Sequence, residues 1–168
     1  MALMKKQNEF VKQVAEFQSV FDPSNNGWNK DRLERLSTRK AEDLLRLRSK
    51  LICEESCECQ NAIAHLIKLC DDCREERHQS IRVANLTSMP FKERWRDSKR
   101  EMADALGDIL VVTIGTAITF GLDIEEIMRR IHTSNMSKLG EDGRPIYRED
   151  GKVLKGPNYE PPKLDDLI

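Results

Sequence analysis

The sequence predicts an all-α fold: a four-helix-bundle core that ends in an extended C-terminal arm. Three observations predict it. Apolar residues recur at three- and four-residue steps through much of the chain, and turn-forming residues punctuate those stretches. Beyond residue 139 the helical period gives way to a tail carrying Gly143, Pro145, Gly151, Gly156, Pro157, Pro161 and Pro162. At 168 residues the chain fits one domain, 1–168, of which 139–168 is the arm.

The first helix carries Phe10, Val14, Phe17 and Phe21, a stripe that wants a core. Asp22-Pro23-Ser24-Asn25-Asn26-Gly27 is a dense loop signal that stops it. A second helix is expected from about Asn29 to Leu69, broken near Ser37-Thr38, with Leu44, Leu47, Leu51 and Ile52 on its apolar side. From Asp71 to Asp97 the chain is polar and Pro90 interrupts it, which predicts a connection holding at most a short helix. The third helix runs from Lys92 or Asp97 to Phe120 and ends at Gly121. Asp123 then caps a fourth helix, with Glu126 three positions on as in a capping box. Its buried stripe is Ile124, Ile127, Met128 and Ile131. In the tail, Arg144 to Tyr147 and Lys152 to Lys155 flank Asp150-Gly151, the pattern of a small hairpin or extended arm.

Composition excludes several function classes. Lys plus Arg number 28 against 29 for Asp plus Glu, a formal net charge of −1, with no basic excess to grip duplex nucleic acid. The longest apolar run, Ile109 to Leu122, is bounded by Asp108 and Asp123 and is read as a buried helix, too short to cross a bilayer. Met1-Ala2-Leu3-Met4 leads into Lys5-Lys6 without the apolar stretch of a signal peptide, so a cytoplasmic location is expected. The five cysteines, at 53, 57, 59, 70 and 73, are then reduced thiols.

The informative residues are acids on two helices. Glu54, Glu55 and Glu58 lie within three- and four-residue steps, and Glu101, Asp104 and Asp108 follow an i, i+3, i+7 pattern. A solvated, salt-bridged face is the plainest explanation of such clusters. Yet the Asp104–Asp108 stripe continues into Val111 and Gly115, and Glu54 to Glu58 follow directly on Leu47, Leu51 and Ile52. Acids aimed at a core repel one another unless a cation or proton neutralises them. Bundles build divalent-metal sites from inward carboxylates on two helices, and oxygen-only ligands favour Mg²⁺ or Mn²⁺ over zinc. Spacing alone leaves a metal–phosphate site and a purely structural bundle both open.

Glu54-Glu55-x-x-Glu58 followed by Glu101-x-x-Asp104 resembles the paired signature of the all-alpha nucleotide pyrophosphohydrolases, the superfamily of MazG-type enzymes, dimeric dUTPases and phosphoribosyl-ATP pyrophosphohydrolases. Glu101 to Gly121, His132 to Leu139, the tail Lys152 to Pro162 and Val14 to Phe17 are similar to the MazG-like branch found in many phages. The resemblance implies cleavage of a nucleoside triphosphate between its α and β phosphates, with two or more Mg²⁺ (or Mn²⁺) ions. It implies Glu55, Glu58, Glu101 and Asp104 as metal ligands, with Asp108 as an additional candidate, and Glu54 as the base that orients or deprotonates water. It implies Asn135, Lys138, Lys155 and Tyr159 as contacts to phosphate or sugar, with Arg48 and Lys50 adding to the field.

It also implies a homodimer or homotetramer, in the host cytoplasm if the chain is phage-encoded. Within the branch the chain is similar to the MazZ-type diphosphohydrolases of 2-aminoadenine phages, which implies a purine substrate such as dGTP. A dUTP or dCTP pyrophosphatase of the same superfamily is the alternative, and a helical interaction module without chemistry is the other. One departure bears on the substrate: the gap between Glu58 and Glu101 exceeds the family norm, with inserted chain around Asp71 to Asp97.

Other features read more plainly. Cys70-x-x-Cys73, with His65 and His78 nearby, suggests zinc, but Cys57 and Cys59 lie on opposite helix faces, so these are taken as ordinary thiols. His132 is taken as a surface histidine and Trp28 as a core or surface anchor. Arg94, Trp95, Arg96, Lys99 and Arg100 are taken as a solvated helix start.

Overall fold

The computed structural model describes residues 8–21, 36–78 and 89–168. They form the expected all-α architecture: α1 (Glu9–Phe21), α2 (Thr38–His78), α3 (Met89–Thr119), α4 (Ile124–Met136) and a 3₁₀ turn at Asp165–Leu167. The loop expected at 22–27, Trp28, and the chain from Asn29 to Arg35 lie outside the described residues. Contacts divide the described chain into two compact units, one of 36–116 and one of 8–21 with 117–168.

The first unit is the long pair α2 and α3. Two cross-helix contacts mark their antiparallel register: the ion pair of Arg94 Nη2 with Asp72 Oδ2 at 3.6 Å, and the approach of His65 Nδ1 to Glu101 Oε2 at 3.7 Å. The buried stripe of α2 is Arg48, Cys59, Ala62 and Leu69, and on α3 Ala105 and Ile114 are buried. Leu47, expected on the core side, is instead half exposed, because the stripe through Arg48 turns it away. Two boundaries also move. α2 continues past Leu69 to His78, and α3 begins at Met89. Asp71–His78 and Met89–Asp97 are therefore helix ends rather than connection, and 79–88 lie outside the described residues. Hydrophobic period misses these ends because the turns are held by helix-favouring polar residues and ion pairs such as Arg74–Asp71 at 3.5 Å. Pro90 fits because it stands in the first turn, where no intrahelical N–H bond is lost.

α3 as a whole is longer than its apolar run. By length and composition alone the stretch Lys92–Thr119 is long and apolar enough to cross a membrane. The apolar run Ile109 to Leu122 is only part of that length, and the core helix of a soluble protein meets the same measure.

In the second unit, Asn8 Oδ1 accepts from the Phe10 N–H at 2.9 Å and so caps α1, while the Asn8 N–H donates to Glu125 Oε1 at 2.7 Å. The face of α1 that is buried is Val11, Val14 and Gln18. The aromatic stripe expected there is overturned apart from Val14: Phe10, Phe17 and Phe21 are exposed, with the last two stacked at 4.6 Å. α4 starts as expected, Asp123 Oδ1 accepting from the Glu126 N–H at 3.0 Å. Of its anticipated stripe Met128 is exposed, while Ile124, Ile127 and Ile131 are half-buried. The hairpin is present, with Tyr147 bridging Val153 and Gly151 turning at φ 82°.

Candidate active site

The carboxylates and the nucleotide-contact candidates fall in different units. In the α2–α3 pair, Glu55 lies on the buried side of α2, one helical step from Cys59, and is half-buried. Its carboxyl is pushed above the ordinary glutamate value, first by burial and then by the charges of Glu58, Asp108 and Glu54. Acids from both helices therefore bear on one side chain. The α3 acid that does so is Asp108; Glu101 stands instead beside His65.

Glu101, Asp104 and Asp108 are exposed, so the expectation that their stripe faces the core is corrected. The buried position of α3 here is Ala105, which rotates Asp104 and Asp108 to its flanks. Glu54 and Glu58 are exposed as well, and Lys50 Nζ pairs with Glu54 Oε1 at 3.5 Å. Arg48 is buried, about a quarter turn round α2 from its exposed neighbour Leu47.

Whether these residues suit a divalent cation divides into chemistry and spacing. The chemistry fits: a cluster of carboxylate oxygens whose mutual repulsion already lifts Glu55 is one that a hard cation relieves. The spacing is open, since among the described residues no group of three or more His, Cys, Asp or Glu side chains stands close enough to hold a metal. Of the acids implied as ligands, Glu58, Glu101, Asp104 and Asp108 are exposed to solvent and Glu55 is half-buried. The cysteines agree with their reading as thiols: Cys53, Cys57, Cys59 and Cys70 are free, Cys59 buried and Cys57 exposed. The side chains of Cys73 and His78 lie outside the described residues.

In the other unit, the arm returns along α4. The Gly156 N–H donates to Lys138 O at 3.0 Å, and the Glu160 N–H donates to Ser137 Oγ at 2.9 Å. Lys155 and Tyr159 of the arm are thereby tied to the stretch of α4 and its C-terminal cap that bears Asn135 and Lys138. Lys138 Nζ donates to Asn135 Oδ1 at 2.7 Å, and Lys155 Nζ lies 4.2 Å from the centre of the Tyr159 ring. A cavity of about 450 Å³ opens here, lined in part by Thr133, Ser137, Asn158, Pro161 and Pro162. Gly156 makes the close approach because a Cβ there would lie 2.1 Å from Leu139 O.

Two features escaped the sequence. His65 beside Glu101 had only its neighbouring cysteines to suggest a role, and no spacing rule links positions 65 and 101. Arg130, which binds Lys163 and Asp166 of the arm, had no visible partner, because those contacts span more than thirty residues.

A family model described as phosphoribosyl-ATP pyrophosphohydrolase (PRA-PH) matches residues 14–135, well over half of the chain. That span holds Glu54, Glu55, Glu58, Glu101, Asp104 and Asn135, and stops before Lys138, Lys155 and Tyr159. No curated protein matches the chain.

Proposed function

The chain belongs to the phosphoribosyl-ATP pyrophosphohydrolase family, enzymes that hydrolyse pyrophosphate bonds, and from that premise we propose a Mg²⁺- or Mn²⁺-dependent nucleoside triphosphate pyrophosphohydrolase. The products are the monophosphate and pyrophosphate. The substrate we favour is a purine deoxynucleotide such as dGTP, on the chain's likeness to the MazZ-type diphosphohydrolases within the MazG-like branch. The observation that carries the reading is Glu55, a carboxyl lifted by acids from both α2 and α3 inside the span that the family matches.

Glu55, Glu58, Glu101 and Asp104, with Asp108, would hold the cation. When bound, it neutralises charge developing on the phosphoryl oxygens. Glu54 accepts a proton from the attacking water as its oxygen bonds to phosphorus, and the bridging oxygen leaves with pyrophosphate. Lys50, within ion-pair distance of Glu54, holds that carboxylate in one orientation. Asn135, Lys138, Lys155 and Tyr159 bind the phosphates and sugar, the lysines as point charges and Asn135 as a hydrogen-bonding group. A homodimer or homotetramer is part of the proposal, supported by exposed Leu45, Leu47, Ile63, Ile67, Leu106 and Leu110 on α2 and α3.

The test is pyrophosphate release from each common nucleoside triphosphate, ribo and deoxy, with phosphoribosyl-ATP included because the family bears its name. Release that needs Mg²⁺ or Mn²⁺ and prefers dGTP supports the proposal. Turnover of dUTP or dCTP moves it to the pyrimidine alternative. Background rates throughout would overturn it in favour of an interaction module.

A further inference from the structure

Three successive contacts zip the arm onto α4, and the last has no part in the chemistry above. Gly156 N meets Lys138 O, Ser134 Oγ donates to Glu160 O at 2.7 Å, and Arg130 Nη1 donates to Lys163 O at 2.6 Å. Partners on α4 and the turn that follows it step back from 138 to 130 while those on the arm step forward from 156 to 166, so the arm runs antiparallel to the helix.

Arg130 closes the far end. Its guanidinium meets the Asp166 carboxylate as a two-pronged fork, Nη2 to Oδ2 at 2.7 Å and Nη1 to Oδ1. Its Nε donates to Glu126 Oε1 at 2.9 Å, and the Glu126 backbone is fixed by the Asp123 cap. The Arg130 side chain is 21% exposed, whereas most of the arm from 141 to 158 is open to solvent. One braced arginine thus holds a segment with little apolar anchorage of its own.

We propose that Arg130 is a positioning residue: by gripping Lys163 and Asp166 it keeps the arm registered on α4, and with it Lys155 and Tyr159, which bind the phosphate and sugar of the nucleotide. This rests on the assignment of those residues to the substrate. Arg130 acts on Lys155 and Tyr159 through the arm, and its side chain also borders the cavity lined by Thr133, Ser137 and Asn158.

The test uses the full chain and the triphosphate that the wild type turns over best. R130Q and D166N each remove the fork, and D166E keeps a carboxylate for it. Amide hydrogen exchange, without metal or nucleotide, is read at Gly156, Tyr159, Glu160 and Leu167, whose N–H groups are bonded within the arm or to α4. Expected for both R130Q and D166N are exchange at these amides faster by about tenfold, KM higher by roughly tenfold, and kcat within about twofold of wild type. D166E restores KM and exchange in large part.

Faster exchange with an unmoved KM overturns the positioning role while leaving the hydrolase intact. Unchanged exchange overturns the latch. A fall in kcat without a rise in KM overturns it too, since that is the mark of a residue acting on the chemistry. Should R130Q fail to fold by circular dichroism, D166N, near the chain end, decides alone. A wild type that releases no pyrophosphate from any triphosphate sinks the hydrolase and this role together, whatever the exchange shows.

Discussion

Glu55 on α2 and Asp108 on α3 lie within one another's field across the helix pair. Burial raises the Glu55 carboxyl above its ordinary value, and Glu58, Asp108 and Glu54 raise it further. Like charges gathered at a partly dry surface cost stability unless something is bound among them. The cost has a direction in pH. A carboxyl whose folded pKa is raised contributes stability that is complete below its unfolded value, near 4.5, and is lost as pH rises through the folded value.

Glu55→Gln removes that charge while keeping the shape. Without metal, at neutral pH, its melting temperature should exceed wild type by on the order of 1–3 °C. Its pyrophosphate release should fall by roughly a hundredfold or more. A variant that is both less stable and still active would show Glu55 to be an ordinary helix-surface acid.

Divalent cation should act in the opposite sense on the wild type. A ligand at a hundredfold excess over its Kd stabilises by about 2.7 kcal/mol, which for a chain of this size is roughly 5–10 °C. Thermal scans with Mn²⁺ should show this rise in wild type and a much smaller one in Asp104→Asn and Glu55→Gln. Asp108→Asn tests the α3 acid whose charge bears on Glu55. An equal rise in all four proteins would mean that Mn²⁺ binds elsewhere.

Helix identity was legible in the sequence where period and caps coincide, as at Asp123 and Glu126, and in the turn at Asp150-Gly151. It failed where amphipathic logic has little to read. Asp71 to His78 is helical through local ion pairing and propensity, and Phe10, Phe17 and Phe21 form a periodic stripe that the unit leaves exposed. The acids were found by spacing, but one helical position decides whether an acid faces inward, and Ala105 took the buried place beside Asp104. Arg130 was beyond any local rule, because its partners lie at the far end of the chain.

The proposed oligomer would cover the apolar side chains left exposed on α2 and α3. A homodimer or homotetramer should show a light-scattering mass at twice or four times 19.4 kDa. Ile63→Asp with Ile67→Asp should lower it, because a carboxylate at a dry interface is left unpaired. A wild type that runs as a monomer at micromolar concentration would leave those residues as surface hydrophobics.

Gly156→Ala probes the near end of the arm. The new methyl would sit 2.1 Å from Leu139 O and against backbone, which cannot swing aside as a side chain does. Overpacking of this kind costs about 1–3 kcal/mol. The arm should lift from α4, seen as faster exchange at Gly156 and Glu160, with α2 and α3 protected as in wild type. KM should rise more than kcat falls. Unchanged exchange at Gly156 would mean that the backbone absorbs the methyl by shifting.

Acid should release the far end of the same arm. The Asp166 carboxyl is held below its ordinary value of 3.8, first by the hydrogen bond from Arg130, with the backbone N–H and the charge of Arg130 adding to it and Glu126 opposing. A depressed folded pKa contributes stability that is present above the unfolded value and lost as pH falls through the folded one. The latch is therefore complete at neutral pH and opens only below pH 3.8, in step with protonation of Asp166. Carbon-13 chemical shifts of the Asp166 carboxyl should report the low pKa directly. In R130Q that pKa should return toward 3.8, and the exchange rate of the Leu167 amide should lose its pH step. An Asp166 that titrates at its ordinary value in the wild type would mean that the fork with Arg130 does not persist in solution, and the arm would need another anchor.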